Sequence, residues 1–337
     1  MKFFSTCLLA GLISLSPSLN AAESDGDSFG FIFENDIFGG SDKYYSSGQQ
    51  LNFSMTLESS SDTSDRIQFL DQDWLPFYGR PGERRVNTFT FGQQIYTPAN
   101  ISIAAPQPND RPWAGWLYGS AFFSRASEES LTTFGVTLGL VGPGSGAEDV
   151  QKFIHEHITD SPDPKGWDNQ LSNEPGIILA YQKTWRIGAG NAGSFGWDVL
   201  PNAGAAVGNV YVQASGGGMF RFGWRLPQDF GIGGIRPGSS TTLAPDILPL
   251  QDPEGFRFYG FAGGQILAVA HDIFLNGNTF KDSASISAKP IIGYIQIGAT
   301  LAYDNFRFSY LQRYSSKEFR NQPSGQWLGA VTATVQF

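Results

Sequence analysis

The chain has 337 residues and a formal net charge of -9 at pH 7, which argues against a nucleic-acid partner, because phosphate backbones are bound by clustered lysine and arginine. A single cysteine rules out a disulfide framework, and no apolar run after the N-terminal segment is long enough for a membrane-spanning helix. Glycine at 41 residues and phenylalanine at 28, beside only three methionines, suit strands that are apolar on one face only.

Residues 1–22 read as a signal peptide: Lys2 supplies the positive start, 7–15 the apolar stretch, and Leu-Asn-Ala before Ala22 a small-residue cleavage site. Cys7 leaves with it. Residues 23–337 then form one domain, with no internal repeat. Period-two alternation marks twelve strands, at about 28–37, 46–58, 84–96, 113–126, 129–142, 175–187, 194–206, 209–224, 255–270, 289–302, 304–316 and 326–337. In the last of them Trp327, Gly329, Val331, Ala333, Val335 and Phe337 oppose Gln326, Leu328, Ala330, Thr332, Thr334 and Gln336. A tilted crossing of a hydrocarbon layer takes ~9–11 residues, which these strands satisfy. An even number of strands closes into a barrel without the exposed edges that lipid does not tolerate. The expectation is an all-β protein, a closed antiparallel transmembrane β-barrel of about 12 strands, with a short helix in an extracellular loop. A secreted β-sandwich fits less well, because the apolar faces carry too many Phe and Trp for a wet surface.

With both termini periplasmic, parity places the connections 37–45, 97–112 and 143–174 together at the outer rim. Connections 59–83 and 225–254 fall on the periplasmic side, where turns are usually short, and their length has no explanation in the sequence.

The 145–175 stretch is the one helical segment. Ser145 followed by Glu148 has the form of a capping box, Val150, Ile154 and Ile158 make an apolar face, and Gln151 and His155 stand side by side four apart. This polar pair is either a site or a decorated loop. In His155-Glu156-His157 the two imidazoles point to different sides of a helix, which argues against zinc. At the first hairpin, Glu34 and Asp36 share the lumen side with Gly30 and Ile32, and Ser46 shares it with Gly48, Gln50 and Asn52. Carboxylates and a hydroxyl there can bind a hard cation, or form only a polar hairpin top. Arg111 beside Trp113 can meet a phosphate or serve as an interfacial anchor. Gly26-Asp27-Ser28-Phe29 brushes against a serine-esterase block, but no histidine follows His271, and no nucleophile elbow is present.

Taken in order, Phe33-Glu34-Asn35-Asp36, Tyr45-Ser46-Ser47-Gly48, Asp110-Arg111-Pro112-Trp113-Ala114-Gly115-Trp116, Val150-Gln151 with His155, and Gly166-Trp167-Asp168-Asn169-Gln170-Leu171 resemble the lipid A 3'-O-deacylase family of Gram-negative outer membranes. The likeness spans the mature chain and is strongest over 31–176. It implies a calcium-dependent, monomeric outer-membrane esterase acting at the outer rim on lipid A of lipopolysaccharide. His155 is implied as catalytic base with Gln151, Ser46 and Asn35 as catalytic partners, and Asp36 and Glu34 toward Ca²⁺. Arg111 and Trp113 are expected at the substrate head group, Arg111 in place of a lysine the family carries beyond strand three. A phospholipase-type esterase and a non-catalytic barrel of porin or adhesin type are the alternatives.

Overall fold

The computed structural model describes residues 27–40, 43–57, 84–159, 161–237 and 255–337. The expected signal peptide at 1–22 lies outside these residues, as do the 59–83 connection and residues 238–254. The strands are β1 (Ser28–Asn35), β2 (Tyr44–Leu57), β3 (Arg84–Thr97), β4 (Ala114–Ala126), β5 (Ser130–Val141), β6 (Glu174–Trp185), β7 (Gly188–Ala192), β8 (Phe195–Gly208), β9 (Tyr211–Trp224), β10 (Phe256–Asp272), β11 (Ile291–Tyr303), β12 (Phe306–Ser315) and β13 (Gln326–Gln336). Two short helices, α1 (Ala147–Ile154) and α2 (Ile273–Asn276), lie in connections.

All neighbours pair antiparallel. The ring closes where β1 meets β13 and where β6 meets β8. β7 is the continuation of β6 along the same edge of β8: Thr184 lies opposite Asn202 and Gly188 opposite Val199, so one residue is gained between them. Pro201 of β8 stands beside this break and has no N–H to give the ladder. The expected twelve-stranded barrel is therefore what forms, its sixth strand in two pieces.

Alternation sorts the two faces. Leu51, Phe53, Phe91, Leu138, Ile177, Phe220, Ile297 and Phe308 project outward and are exposed, while Asn52, Gln94, Gln182, Gln265, Thr300 and Arg313 are buried inside. An apolar exterior around a polar interior is the pattern that a lipid solvent selects.

The interior is filled. From the rim that holds the termini, the connection after β9 turns back into the barrel. Its Phe230, Ile232 and Ile235 are buried in the same core as Ile32, Leu200, Met219 and Tyr259. Near the terminal rim Asp229 takes the guanidinium of Arg221 and that of Arg307, the latter at 3.0 Å. Near the opposite rim Arg236 reaches Glu318 at 3.1 Å. The unusual length of the 225–254 connection thus has a physical cause in its described part: it supplies a lumen insert.

Candidate active site

One row of backbone partners crosses four strands just inside the rim opposite the termini. Asn35 of β1 pairs with Ser47 of β2, Ser47 with Ile95 of β3, and Ile95 with Gly115 of β4. These positions share the outward face with Phe33, Gln49 and Gln93 (successive side chains alternate). The Gly115 carbonyl accepts from Gly142 N at 3.0 Å, which folds the 142–173 connection back over this outer face. Gln49 donates to Gln93 at 2.9 Å, and Gln93 donates to the Ser145 carbonyl at 2.7 Å. A Cβ on Gly115 would lie 2.1 Å from Ser145 Oγ and 2.3 Å from Ala147 Cβ, so glycine is what lets α1 touch the wall. Ala147 and Val150 then pack on Ile95, Ile101, Trp113 and Trp167.

α1 forms as expected but does not start as expected. Ser145 Oγ donates to the Gly142 carbonyl at 2.6 Å instead of capping, and the cap is Gly146 at φ +67. Glu148 pairs with Lys152 at 2.6 Å, so no capping box exists. The most buried line of the helix is Ala147, Gln151 and His155, with Val150 and Ile154 only partly covered. The polar pair is buried more deeply than the apolar stripe because a second layer of chain covers it.

That second layer is the 161–171 segment. His155 Nδ1 is 2.7 Å from the Pro162 carbonyl oxygen. A carbonyl can only accept, so Nδ1 carries the hydrogen and the lone pair falls on Nε2, the tautomer a general base needs. Trp167 Nε1 donates to Gln151 Oε1 at 2.9 Å, whereas the buried Gln151 Nε2 has no protein partner. Trp167 packs on Trp113 at 5.0 Å between ring centroids, and Leu171 N donates to the Trp113 carbonyl at 2.9 Å. The Gly166–Leu171 motif is thus a strap that fixes the Gln151 amide. His157 instead stacks on Phe153 in the open, 4.7 Å away, and does not join His155. A cavity of about 710 Å³ opens beside His155, bounded also by Trp167, Lys152, Lys165, Asp163 and Asp168.

The first hairpin corrects one expectation. A β-bulge falls between Tyr45 and Ser47. Tyr45 points into the lumen, its ring 5.3 Å from that of Tyr96. Ser46 does not follow Gly48 and Asn52 into the lumen; its hydroxyl bonds Thr97 Oγ1 at 2.7 Å, on the row of Gln93 and Ile95 that α1 covers. The extra residue of the bulge puts Ser46 and Ser47 toward the same side. The preceding Tyr44 has φ +69, a left-handed conformation costly for a bulky side chain and held here by its packing on Phe319, 5.3 Å between centroids.

Asn35 Oδ1 accepts from Ile37 N at 2.7 Å and caps the turn Asp36–Gly39. The buried Asp36 carboxylate accepts from Lys43 N–H and, at 3.4 Å, from Gln326 Nε2. Glu34 lies on the lumen side as expected. Its Oε1 is 3.5 Å from Arg313 Nη2, and its buried Oε2 has no protein partner. The available donors are oxygens, which suits a hard cation. Among the described residues no three His, Cys, Asp or Glu gather, so an ion at Asp36 would draw mainly on carbonyl, hydroxyl and water oxygens.

Arg111 is not brought to this group. It is fully buried, pairs with Glu318 at 2.5 Å and lies over the Tyr96 ring at 5.2 Å, which makes it part of the lumen roof. Burial pushes the Glu318 carboxyl up, but the guanidiniums of Arg236 and Arg111 beside it hold it down at about 2. Trp113 is in the site's wall, buried under Trp167. Trp167 and Thr97 are the site residues that sequence reasoning did not single out, although Trp167 lies inside a quoted motif.

A family model described as Outer membrane protein LpxR matches residues 3–337. The fold is similar to that of LpxR from Salmonella typhimurium, with a TM-score of 0.73 at 18% identity over 92% of this chain and 100% of that one. The β domain of the Bordetella autotransporter BrkA is a more distant likeness, at a TM-score of 0.46 and 9% identity over 93% of this chain and 100% of that one. No curated protein matches the chain significantly.

Proposed function

The chain belongs to the LpxR family of outer membrane proteins, and from that premise we propose that it is a lipid A deacylase, an outer-membrane ester hydrolase that removes the 3'-linked acyloxyacyl chain. One observation carries the reading. α1 packs on the outer wall of the barrel through Ala147 and Val150, on the same flank as the Ser46–Thr97 pair, and carries Gln151 and His155 beside an open cavity, with Trp167 and the Pro162 carbonyl as their partners.

The reaction is addition of water to the ester carbonyl. His155 Nε2 takes a proton from the water as its oxygen bonds the acyl carbon. Gln151 Nε2, its amide fixed by Trp167, donates to the oxygen on which charge develops. Ser46 holds the water or the same oxygen from the strand side. The ester C–O bond then breaks, and the proton on His155 passes to the leaving sugar hydroxyl, giving a fatty acid and a shortened lipid A. Acyl chains stay against the outward row below the site. Leu51 and Phe91 of that row stand four residues from Ser47 and Ile95, roughly 13 Å along the strands. Ca²⁺ is the cation proposed for Asp36, with Glu34 as the further carboxylate; bound there, it would supply Lewis-acid stabilisation of negative charge. The filled lumen favours this reading over a pore.

The test is His155→Ala expressed in a strain with hexa-acylated lipid A. Lipid A mass spectra should lose the deacylated species while the barrel keeps its heat-modifiable gel mobility. Identical spectra from wild type, variant and empty vector overturn the proposal.

A further inference from the structure

Two neighbouring residues of the lumen insert, Ile235 and Arg236, meet the first hairpin. The Arg236 guanidinium lies 4.7 Å above the Tyr45 ring. Its Nη2 donates to Glu318 Oε1 at 3.1 Å and to the Tyr294 hydroxyl at 3.2 Å. Glu318 is held in turn by Arg111 at 2.5 Å through its other oxygen, so Arg236 is fastened to the rim rather than loosely packed. The Tyr45 ring occupies the space over Gly48, where a Cβ would meet its hydroxyl at 2.0 Å and Ile235 Cδ1 at 3.0 Å.

Tyr45 immediately precedes Ser46, and the bulge between Tyr45 and Ser47 decides which way Ser46 faces. Strict alternation without the bulge would return Ser46 to the lumen row and turn Tyr45 outward. Two features oppose the inward ring: its buried hydroxyl has no protein partner, and the bulge breaks the ladder. Gln326 brackets the Tyr45 peptide, at 3.4 Å from its nitrogen and 3.2 Å from its carbonyl, but this fixes the backbone and not the ring. The ring is held by Tyr96 on one side and by the planar guanidinium of Arg236 on another.

We propose that Arg236, delivered from the opposite end of the barrel, is a positioning residue for the hydrolysis, holding Tyr45 inward so that Ser46 is presented to Thr97 and α1. The inference rests on the role given to Ser46 above. It makes the insert part of the catalytic apparatus and not merely a filling.

The experiment compares kcat and KM for release of fatty acid from lipid A by the full-length protein in detergent. The proteins are wild type, Arg236→Met, Arg236→Lys, Ser46→Ala and the double variant Ser46→Ala/Arg236→Met. Arg236→Met should lower kcat about tenfold or more, as a small misplacement of a reacting group does, with KM unchanged and normal heat-modifiable mobility. Arg236→Lys keeps the charge beside Glu318 but not the flat stack. It should fall between the two, and it carries the test if the methionine variant does not fold. The double variant should be no slower than Ser46→Ala alone, because Arg236 acts through Ser46. Wild-type kcat in both Arg236 variants, or a double variant slowed by the full product of the two effects, overturns the inference while leaving the proposed function standing. An unimpaired Ser46→Ala overturns the role of Ser46 and this inference with it.

Discussion

Trp167 donates its indole N–H to Gln151 Oε1 across 2.9 Å, and that contact decides what the Gln151 amide can do. With the oxygen occupied, the nitrogen is the end left to donate, on a helix face that also carries His155 four residues on. Trp167→Phe keeps an aromatic ring against Trp113 and removes the donor with part of the ring's bulk. We expect kcat to fall about tenfold, less than the ~10²–10³ that loss of an oxyanion donor itself costs. Gln151→Ala should show the larger loss. Equal rates for Trp167→Phe and wild type, measured on purified lipid A, would mean that the amide needs no such fixing.

Gly115 sets how closely α1 approaches the wall. Gly115→Ala puts a methyl group where Ser145 Oγ and Ala147 Cβ already lie, at 2.1 and 2.3 Å, and overpacking of this kind costs about 1–3 kcal/mol. The barrel ladder does not depend on that space, but the seat of the helix does. Activity should drop at least about tenfold, trypsin should cut faster at Lys152, and heat-modifiable mobility should be unchanged. A variant with full activity and a protected Lys152 would show that α1 finds its place by other contacts.

Glu318 links acidity to stability. Its carboxyl sits at about 2 in the folded protein against an ordinary value of 4.5, because Arg236 and Arg111 outweigh the effect of burial. A depressed acid stabilises the fold above its unfolded value and loses that contribution as pH falls through its folded value. The shift is worth about 3 kcal/mol, present in full above pH 4.5 and lost progressively toward pH 2. Thermal midpoints of band shift in wild type should therefore decline across that window. Glu318→Gln should be less stable at neutral pH and show a flatter decline; a parallel slope in both proteins would remove Glu318 from the account.

The oxygen donors at the first hairpin make a cation testable without reference to turnover. Calcium added to the chelated protein should raise its thermal midpoint, and Asp36→Asn should need a higher calcium concentration for the same rise. Chelation should stop fatty acid release, and Ca²⁺ should restore it better than Mg²⁺, which accepts irregular oxygen sites less readily. Activity that survives chelation in wild type would exclude the ion from the reaction.

Much of the barrel was legible because alternation is a local signal. Each strand shows its two faces within a few residues, and the burial of β6, β10 and β11 follows the sequence pattern almost residue by residue. The i, i+4 placement of Gln151 and His155 was legible for the same reason. Orientation of the helix was not. Which of its two stripes is covered more deeply depends on Gly115, Trp167 and the Pro162 carbonyl, and none of these is a neighbour in the helix. Arg111 was expected at the substrate because it stands beside Trp113, but it is buried against its counter-charge Glu318, which lies 207 residues away in the chain and which no spacing in the sequence reveals.

By itself the sequence determined a cylinder of strands, the rim where its unusual loops gather and the helix that carries Gln151 beside His155, since period and parity need no partner to be read. Only the tertiary structure decided that Ser46 turns outward, that the long connection after β9 fills the lumen, and that Arg236 joins Glu318 from 82 residues away. Each of those depends on contacts between segments remote in the chain, for which no spacing rule exists.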